Sequence, residues 1–354
     1  MKTPLCLMLG LLVAPVAFAG AKDKTLDVYW IDSEGGGSTL IVTPNDESVL
    51  IDAGNPGGRD PARIVAAAKA AGLAKIDYLL ITHWHGDHFG GVAEVADMFP
   101  VGAIYQRALP DTDPDLRNDA SWLSRSKAFR AVTVKRESLA PGVAIPLRAV
   151  SGGPALALRC LAADKKFIAP TPEQQAHPTA LVDAGPKGPE PDADNDNSAV
   201  FLLSFGAFRF FDGGDLTWAW EPKLVSPYNL VGAVDVYQTN HHGLDRSNNP
   251  MLLRGLTPTV TVMNNGPRKG GQAGTLALLK TIPSIQASYQ MHKSVSVDAA
   301  LNAPDDHIAN LVDARPADKC PANIIRMSVA ADGKSYTISI PANGHTHTYQ
   351  TTAK

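Results

Sequence analysis

The sequence predicts an α+β fold in which two β-sheets are covered by helices. Strand-like apolar runs and helix-like periodic segments alternate along the chain, which is typical of layered sheets and helices. Several neighbouring strands are separated by tight turns, and such turns join antiparallel rather than parallel strands. Hydrophobic residues make up 44% of the 354 residues, so the chain can bury a large core. No internal repeat subdivides it, and we expect a single domain over residues 20–354.

Residues 1–19 have the pattern of a secretory signal peptide. Lys2 precedes an apolar centre over residues 5–13, and small residues at positions 17 and 19 mark a cleavage site. We therefore expect an exported protein, periplasmic or secreted. No other segment has the ~18 consecutive apolar residues of a membrane helix, so no membrane span is expected after cleavage.

The first 130 residues carry clear strand and helix signals. Apolar runs between Gly-rich or polar turns predict strands. One helix is preceded by Asp60 and begins with Pro61, whose missing N–H is not needed in the first helical turn. The predicted strands cover residues 26–31, 39–42, 49–51, 76–81 and 101–105, and the predicted helices cover residues 62–71, 92–99 and 121–130.

The rest of the chain has shorter strands and one long irregular segment. Residues 169–196 are rich in Pro, Gly and Asp and lack periodicity, as functional or disordered loops do. Residues 322–351 alternate around two turns and predict a C-terminal β extension. The other predicted strands cover residues 143–145, 155–161, 199–204, 208–211, 234–238 and 260–263, and a helix is predicted over residues 275–281.

The most informative stretch directly follows the strand predicted over residues 76–81. It places His83, His85, Asp87 and His88 within six positions. Imidazole suits zinc and similar transition metals, and a carboxylate also admits harder ions such as manganese. Because alternate side chains can point to one side while the chain turns, His83 and His85 can share one metal while Asp87 and His88 face a second. The stretch therefore predicts two divalent metal ions, with zinc favoured over manganese.

Similar polar side chains follow other apolar strands. Asp52 is either a turn residue or a carboxylate that orients a ligand histidine from behind. Asp215, after two glycines, can bridge two metals. His241 and His242 follow a further strand, and since adjacent strand residues point to opposite faces, one of the two is expected to bind metal. Strand ends at one edge of a layered fold converge, so these residues are expected to meet.

These motifs resemble those of metallo-β-lactamase-fold metallohydrolases, over nearly all of the chain after the signal peptide. The matching segments are residues 50–54, 82–88, 213–215 and 240–243. The resemblance implies a four-layer αββα sandwich with a dinuclear site at one edge. It assigns His83 and His85 to the first metal. It assigns Asp87, His88 and the last histidine to the second metal, and His242 is favoured as that histidine. Asp215 is assigned to the position between the two metals.

The chain departs from most of that family at residues 194–198. Most members have a further histidine there, whereas this chain has Asn195 and Asn197. The Asn-x-Asn-Ser run resembles the ComEC-type competence proteins and the phosphorylcholine esterases. It leaves the first metal open, or completed by water or by an Asn or Asp oxygen. Asp52, Asn195, Asn197 and His241 are accordingly expected behind the ligands or as alternative ligands.

The expected chemistry is hydrolysis, because metal coordination lowers the pKa of water from 15.7 to near 7. Asp87 is the catalytic candidate that orients or receives the proton. Arg268 and Lys269, between glycines, form either an anion cradle for substrate or an ordinary basic turn. We expect a phosphodiesterase acting on a small-molecule or cell-envelope phosphoester. The alternatives are a carbonyl hydrolase, such as a β-lactamase or lactonase, and a non-catalytic metal-binding scaffold.

The net charge and the cysteine content limit the expected binding partners and disulfides. The net charge of −3 provides no global attraction for nucleic acid, so no extended nucleic-acid groove is expected. Cys160 and Cys320 remain after signal cleavage. In an exported protein they form either a disulfide or a pair of buried free thiols.

Overall fold

The computed structural model describes residues 23–181 and 193–352. The predicted signal peptide, residues 1–19, lies outside the described residues. Within those residues, no helix is both long enough and apolar enough to cross a membrane.

The described residues form two β-sheets of nine strands each. In chain order the strands are β1 (Leu26–Trp30), β2 (Thr39–Val42), β3 (Ser48–Ile51), β4 (Ile76–Leu80), β5 (Val101–Gln106), β6 (Lys135–Ser138), β7 (Ala144–Ile145), β8 (Leu156–Ala163), β9 (Lys166–Phe167), β10 (Val200–Phe205), β11 (Phe208–Asp212), β12 (Val236–Gln238), β13 (Val260–Met263), β14 (Ala287–His292), β15 (Ile308–Asn310), β16 (Ile325–Val329), β17 (Ser335–Ile340) and β18 (His345–Gln350).

The first sheet has the order β18-β17-β16-β1-β2-β3-β4-β5-β6, and the second β15-β14-β13-β12-β11-β10-β8-β7 with β9 beside β8. In the first sheet, β3 to β6 run parallel, while the strands from β18 to β3 pair antiparallel. In the second, β11 to β15 run parallel and the rest pair antiparallel. Each sheet therefore combines hairpins with parallel crossovers.

Helices cover the outer face of both sheets. They are α1 (Arg59–Ala70), α2 (Gly86–Phe89), α3 (Val92–Met98), α4 (Trp122–Ala131), α5 (Pro172–Ala176), α6 (Pro250–Leu256) and α7 (Ala273–Leu279). Buried side chains of α1, α3 and α4 pack against the first sheet. Those of α6 and α7 pack against the second.

A third apolar cluster fills the space between the sheets. Alternation along β1 shows how one strand supplies two layers: Val28 and Trp30 lie in the inter-sheet core, whereas Tyr29 belongs to the cluster under the helices. Trp30 meets Phe210 of the second sheet edge-on, with ring centroids 5.8 Å apart. The four layers are stacked in the order helix, sheet, sheet, helix, which confirms the predicted four-layer αββα sandwich.

Several elements differ from the expectations. Helices α2 and α6 and strands β6, β14 and β15 were not expected, because these segments are short and their patterns are weak. Helix α5 lies inside the segment predicted to be irregular, where a threonine–glutamine capping box begins it. The predicted C-terminal extension supplies β16 to β18, and β16 pairs directly with β1. Cys160 and Cys320 are both buried free thiols, so they do not pair with each other.

Candidate metal centre

The polar residues singled out in the sequence follow strands whose carboxyl ends lie at one edge of the sandwich. Asp52 follows β3, and the histidine-rich segment follows β4 in the same parallel pair. In the second sheet, Asp215 follows β11 and the histidine pair follows β12, again in parallel. Because parallel strands end at the same edge, the topology brings these four segments together.

Asp52 holds the histidine-rich segment in place. One carboxylate oxygen, Oδ1, accepts the backbone N–H of Thr82 at 2.9 Å. The other, Oδ2, accepts the Thr82 hydroxyl at 2.7 Å and His88 Nδ1 at 2.7 Å. Nε2 of His88 therefore faces the centre, as expected for a carboxylate that orients a ligand histidine. Gly37 is required here, since a Cβ at this position would lie 2.7 Å from His88 Nδ1.

The first group of donor atoms consists of His83, His85 and Asp215, which offer one atom each within 4.8 Å of one another. His83 Nε2 is buried without a hydrogen-bond partner and lies 3.8 Å from Asp215 Oδ2. His85 Nε2 contacts Asp115 Oδ1 at 2.9 Å, which leaves Nδ1 of the ring free to bind an ion. Asp115 was missed in the sequence, because an aspartate in a polar loop carries no distinguishing pattern.

The second group consists of Asp87, His88, Asp215 and His242, again with one donor atom each within 4.8 Å. Asp215 Oδ2 lies 3.2 Å from His88 Nε2 and 3.3 Å from His242 Nε2. The Nε2 atoms of His88 and His242 face each other at 3.1 Å. Asp215 thus belongs to both groups, which is the arrangement expected for a carboxylate between two metal ions.

His241 and His242 both face this centre, and in the described residues His242 alone of the two belongs to a donor group. Alternating strand geometry had predicted opposite faces for the two rings, but β12 ends at Gln238 and both histidines have positive φ, 54° and 53°. With this left-handed backbone, both rings turn to the same side. His241 Nε2 lies 3.5 Å from Asp215 Oδ2, and its Nδ1 is held 3.1 Å from the Ser247 hydroxyl.

The two asparagines of residues 194–198 have different surroundings. Asn195 Nδ2 lies 3.2 Å from His241 Nε2, while its Oδ1 is buried without a hydrogen-bond partner. Asn195 therefore lies beside His241, whose ring is close to Asp215. The amide of Asn197 instead donates to the Ala193 carbonyl at 2.7 Å and braces the turn, so the described contacts do not bring it to the donor groups.

Asp194 is a further residue that the sequence did not single out. One of its carboxylate oxygens accepts the backbone N–H of Trp84, in the middle of the histidine-rich segment. The other accepts Arg107 Nη2 at 2.6 Å. Asp194 therefore connects the turn that carries Asn195 to the segment that carries His83 and His85.

The structure separates the two basic residues of the predicted anion cradle. The Lys269 ammonium contacts Asp87 Oδ2 directly and so lies at the second donor group. Arg268 instead pairs with Asp313 at 2.7 Å, and its side chain is 60% exposed. The contacts of Arg268 thus fit the alternative of an ordinary basic turn, whereas Lys269 lies where an anion cradle would need it.

The buried groups in the centre have strongly shifted pKa values. Burial lowers the pKa of His83 well below its ordinary value, so the ring stays neutral. Burial alone would raise the pKa of Asp215, but the neighbouring histidines hold it well below its ordinary range. The pKa of Asp87 is likewise well lowered, because His88 and Lys269 outweigh the effect of burial. Burial would lower the pKa of His88 and His242, but Asp215 and the neighbouring carboxylates raise it, so these rings would release a proton when a metal binds. The imidazole and carboxylate donors of the two groups fit the metals that the fold implies.

Comparison with known proteins finds relatives of one part of this chain. Residues 32–138 match the family model of the Metallo-beta-lactamase superfamily. A hydroxyacylglutathione hydrolase from Xanthomonas axonopodis pv. citri is 32% identical over 95 residues, which cover 27% of this chain and 33% of that protein. An atrochrysone carboxyl ACP thioesterase from Cryptosporiopsis is 36% identical over 99 residues, 27% of this chain and 30% of the relative. The matched part thus spans about a third of each of these curated relatives.

Solved structures show distant similarity. The metallo-beta-lactamase fold protein YhfI from Bacillus subtilis aligns with a TM-score of 0.42 and 13% identity, over 75% of this chain and 95% of that one. CmlA, a diiron beta-hydroxylase from Streptomyces venezuelae, aligns with a TM-score of 0.39 and 15% identity, over 68% of this chain and 45% of that one. Residues 32–138, which include the histidine-rich segment, are thus similar to the metallo-beta-lactamase superfamily.

Proposed function

We propose that this protein is an exported metallohydrolase that cleaves phosphoesters, with phosphodiesters as the preferred class. The observation that carries the proposal is Asp215, whose carboxylate is shared by two groups of metal-donor atoms. Two divalent ions at such a centre activate water as a nucleophile and steady the attacking and leaving oxygens of a displacement. Zinc is the favoured metal, with manganese as the alternative, because imidazoles and carboxylates make up both groups.

We assign the ligands of each ion from the side chains whose donor atoms lie close together. His83, His85 and Asp215 would hold the first ion, and Asp87, His88, His242 and Asp215 the second. We assign His241 as a further ligand of the first ion, because its Nε2 lies near Asp215 and next to Asn195. In this proposal His241 takes the place of the histidine that most family members carry at residues 194–198.

The residues around the ions define the remaining steps. Asp87 Oδ2 lies 3.3 Å from His242 Nε2, at the edge of the centre, and is placed to accept a proton from the attacking water. The Lys269 ammonium on the same carboxylate offers a positive charge to a phosphoryl oxygen. This cation beside the donor groups, together with the Asn-x-Asn-Ser run, supports the phosphoester class and the resemblance to the ComEC-type and phosphorylcholine esterase branch.

A carbonyl hydrolase is the second candidate. Two of the relatives are a thioesterase and a hydroxyacylglutathione hydrolase. The same activated water can attack a carbonyl, and the oxyanion that forms can be stabilised by the same ions. β-Lactams, lactones and acyl thioesters are therefore the competing substrate classes.

The test is a substrate screen on the purified protein loaded with Zn²⁺ or Mn²⁺. Bis-p-nitrophenyl phosphate, a phosphorylcholine ester and single-stranded DNA are compared with nitrocefin, an acyl-lactone and an acyl thioester. We expect turnover of the small phosphodiesters, abolished by Asp215→Asn and retained by Asp313→Asn, a surface carboxylate outside both donor groups. Turnover of acyl substrates without phosphoester activity would replace the proposal by the second candidate.

Export is tested separately, because it concerns the first 19 residues. Cells that express the full chain are fractionated, and the N-terminus of the product is sequenced. We expect a periplasmic or secreted product that begins at Gly20. A cytoplasmic product that retains Met1 would overturn this part of the proposal.

A further inference from the structure

A second cluster of metal-donor residues lies apart from the centre around Asp215. Asp32, Glu34, His292 and Cys320 each offer one donor atom, and these atoms lie within 4.8 Å of one another. Asp32 and Glu34 follow β1, His292 ends β14, and Cys320 precedes β16. We propose that these four residues bind a further divalent transition-metal ion, with zinc as the best fit to thiolate, imidazole and carboxylate donors together.

The cluster is compact and shielded from water. His292 Nε2 lies 2.8 Å from Asp32 Oδ1, and Cys320 Sγ lies 3.4 Å from Asp32 Oδ2. The side chains of Asp32, His292 and Cys320 are buried. This site is independent of the proposed hydrolase activity, because it shares no residue with the centre around Asp215.

Unpartnered donor atoms indicate that a ligand is needed. Only 10% of the Glu34 side chain is exposed, and its Oε1 is buried without a hydrogen-bond partner. Arg63 Nη1 lies 4.0 Å from this oxygen, beyond hydrogen-bond distance. His292 Nδ1 is also buried without a partner. Since buried polar atoms are almost always satisfied in folded proteins, the unpartnered Glu34 oxygen points to an ion or group that binds here.

The backbone of Glu34 gives the same indication. Its φ is 55°, in the left-handed region that L-residues other than glycine rarely adopt. Three glycines follow it at positions 35–37, and any of them would adopt this conformation more easily. A strained backbone that turns a carboxylate toward a buried thiol and imidazole is typical of a functional site.

Charge balance favours a divalent ion. With the Cys320 thiol deprotonated, the three acidic groups carry three negative charges, and Arg63 supplies one positive charge from 3.0 Å away at Asp32 Oδ2. A divalent cation would neutralise the remaining two. Binding breaks the S–H bond of Cys320, forms a metal–sulfur bond, and releases the proton to solvent without any change in oxidation state.

The position of the cluster suggests what such an ion would do. The glycine segment that follows Glu34 reaches the hydrolytic centre, where the Gly37 N–H donates to the Asp87 carbonyl at 2.9 Å. On the other side, the carbonyl of His292 accepts the side-chain amide of Asn265, in the loop that carries Lys269, at 2.8 Å. An ion bound by Glu34 and His292 would therefore brace both segments beside Asp87 and Lys269.

Cobalt substitution tests the proposal, because a thiolate bound to Co²⁺ gives a near-ultraviolet charge-transfer band. The centre around Asp215 contains no cysteine, so this band reports only the proposed site. We expect the band in the wild-type protein titrated with Co²⁺, its loss in Cys320→Ser, and its retention in Cys160→Ser. Cys160 is an equally buried free thiol in the inter-sheet core and is the matched control.

Metal content and a second variant make the test robust to misfolding. We expect Cys320→Ser to bind one ion fewer per chain than wild type, and Cys160→Ser to bind as many. Glu34→Gln keeps the size of the side chain and should lower Co²⁺ affinity at this site by at least about tenfold, with the band still visible at saturation. A wild-type protein without the band, or a band unchanged in both Cys320→Ser and Glu34→Gln, would overturn the proposal, whatever the hydrolase assays show.

Discussion

Asp52→Asn should weaken metal binding without unfolding the protein. The carboxylate accepts three hydrogen bonds, two from Thr82 and one from His88 Nδ1. An asparagine can keep the bond from the Thr82 backbone through its carbonyl oxygen, but its NH₂ group faces His88 Nδ1–H and cannot accept. His88 then loses a charge-assisted bond and the constraint on its tautomer.

The size of this effect can be estimated from the lost bond. A hydrogen bond to a charged group contributes about 1.5–3 kcal/mol. Because about 1.4 kcal/mol corresponds to one decade in affinity, the Kd for the second ion should rise about 10- to 100-fold, which is the range found for groups that orient metal ligands. Titration of Zn²⁺ against a chromophoric chelator measures this Kd directly.

Asp77→Asn is the matched control for this experiment. Asp77 also accepts a backbone N–H and a hydroxyl, both from Ser48, but it lies at the opposite end of β4 and contacts no metal-donor residue. We expect its metal affinity to equal that of wild type. Equal affinities of wild type and Asp52→Asn, or an equal loss in both variants, would refute the role assigned to Asp52.

Three further predictions address the other assignments. Lys269→Ala should lower kcat/KM for an anionic phosphodiester by about tenfold or more. The kcat/KM of Arg268→Ala should stay near that of wild type, because Arg268 faces the surface. Similar losses in both variants would show that both residues bind the substrate. His241→Ala and His242→Ala should each lower metal content, and a loss in His242→Ala alone would show that His241 is not a ligand. Burial, reinforced by the charge of Asp27, raises the pKa of Tyr29 to about 12, so between about pH 10 and 12 the unfolded state loses this proton first and stability falls. When urea unfolding is measured across this pH range, the free energy of unfolding of Tyr29→Phe should fall by about 2–3 kcal/mol less than that of wild type. Equal decreases in the two proteins would contradict the raised pKa of Tyr29.

The local part of the candidate centre could be predicted from the sequence. His83, His85, Asp87 and His88 lie within one short segment, so their spacing alone shows that they can share ions. Two sheets covered by helices could be predicted for a similar reason, since turns and apolar alternation are properties of neighbouring residues. The four-layer αββα order was expected from the family resemblance. Asp215 followed from its position after a strand, because strand ends at one sheet edge converge.

The orientation of individual side chains could not be predicted in this way. His241 and His242 both face Asp215 because two successive residues adopt positive φ, and the strand pattern before them does not reveal this. Arg268 and Lys269 are neighbours, yet they point to different carboxylates. Backbone dihedrals and long flexible side chains are set by their three-dimensional neighbours.

The sequence by itself determined the layered fold, the presence of a metal-binding segment, and the strand ends where its partners lie. These features depend on residues a few positions apart, where chain geometry is nearly fixed. Only the tertiary structure decided that Asp115 holds His85, that both last histidines face the centre, and that a second donor cluster exists. Two members of that cluster, Asp32 and Cys320, are 288 positions apart and meet because β1 pairs with β16.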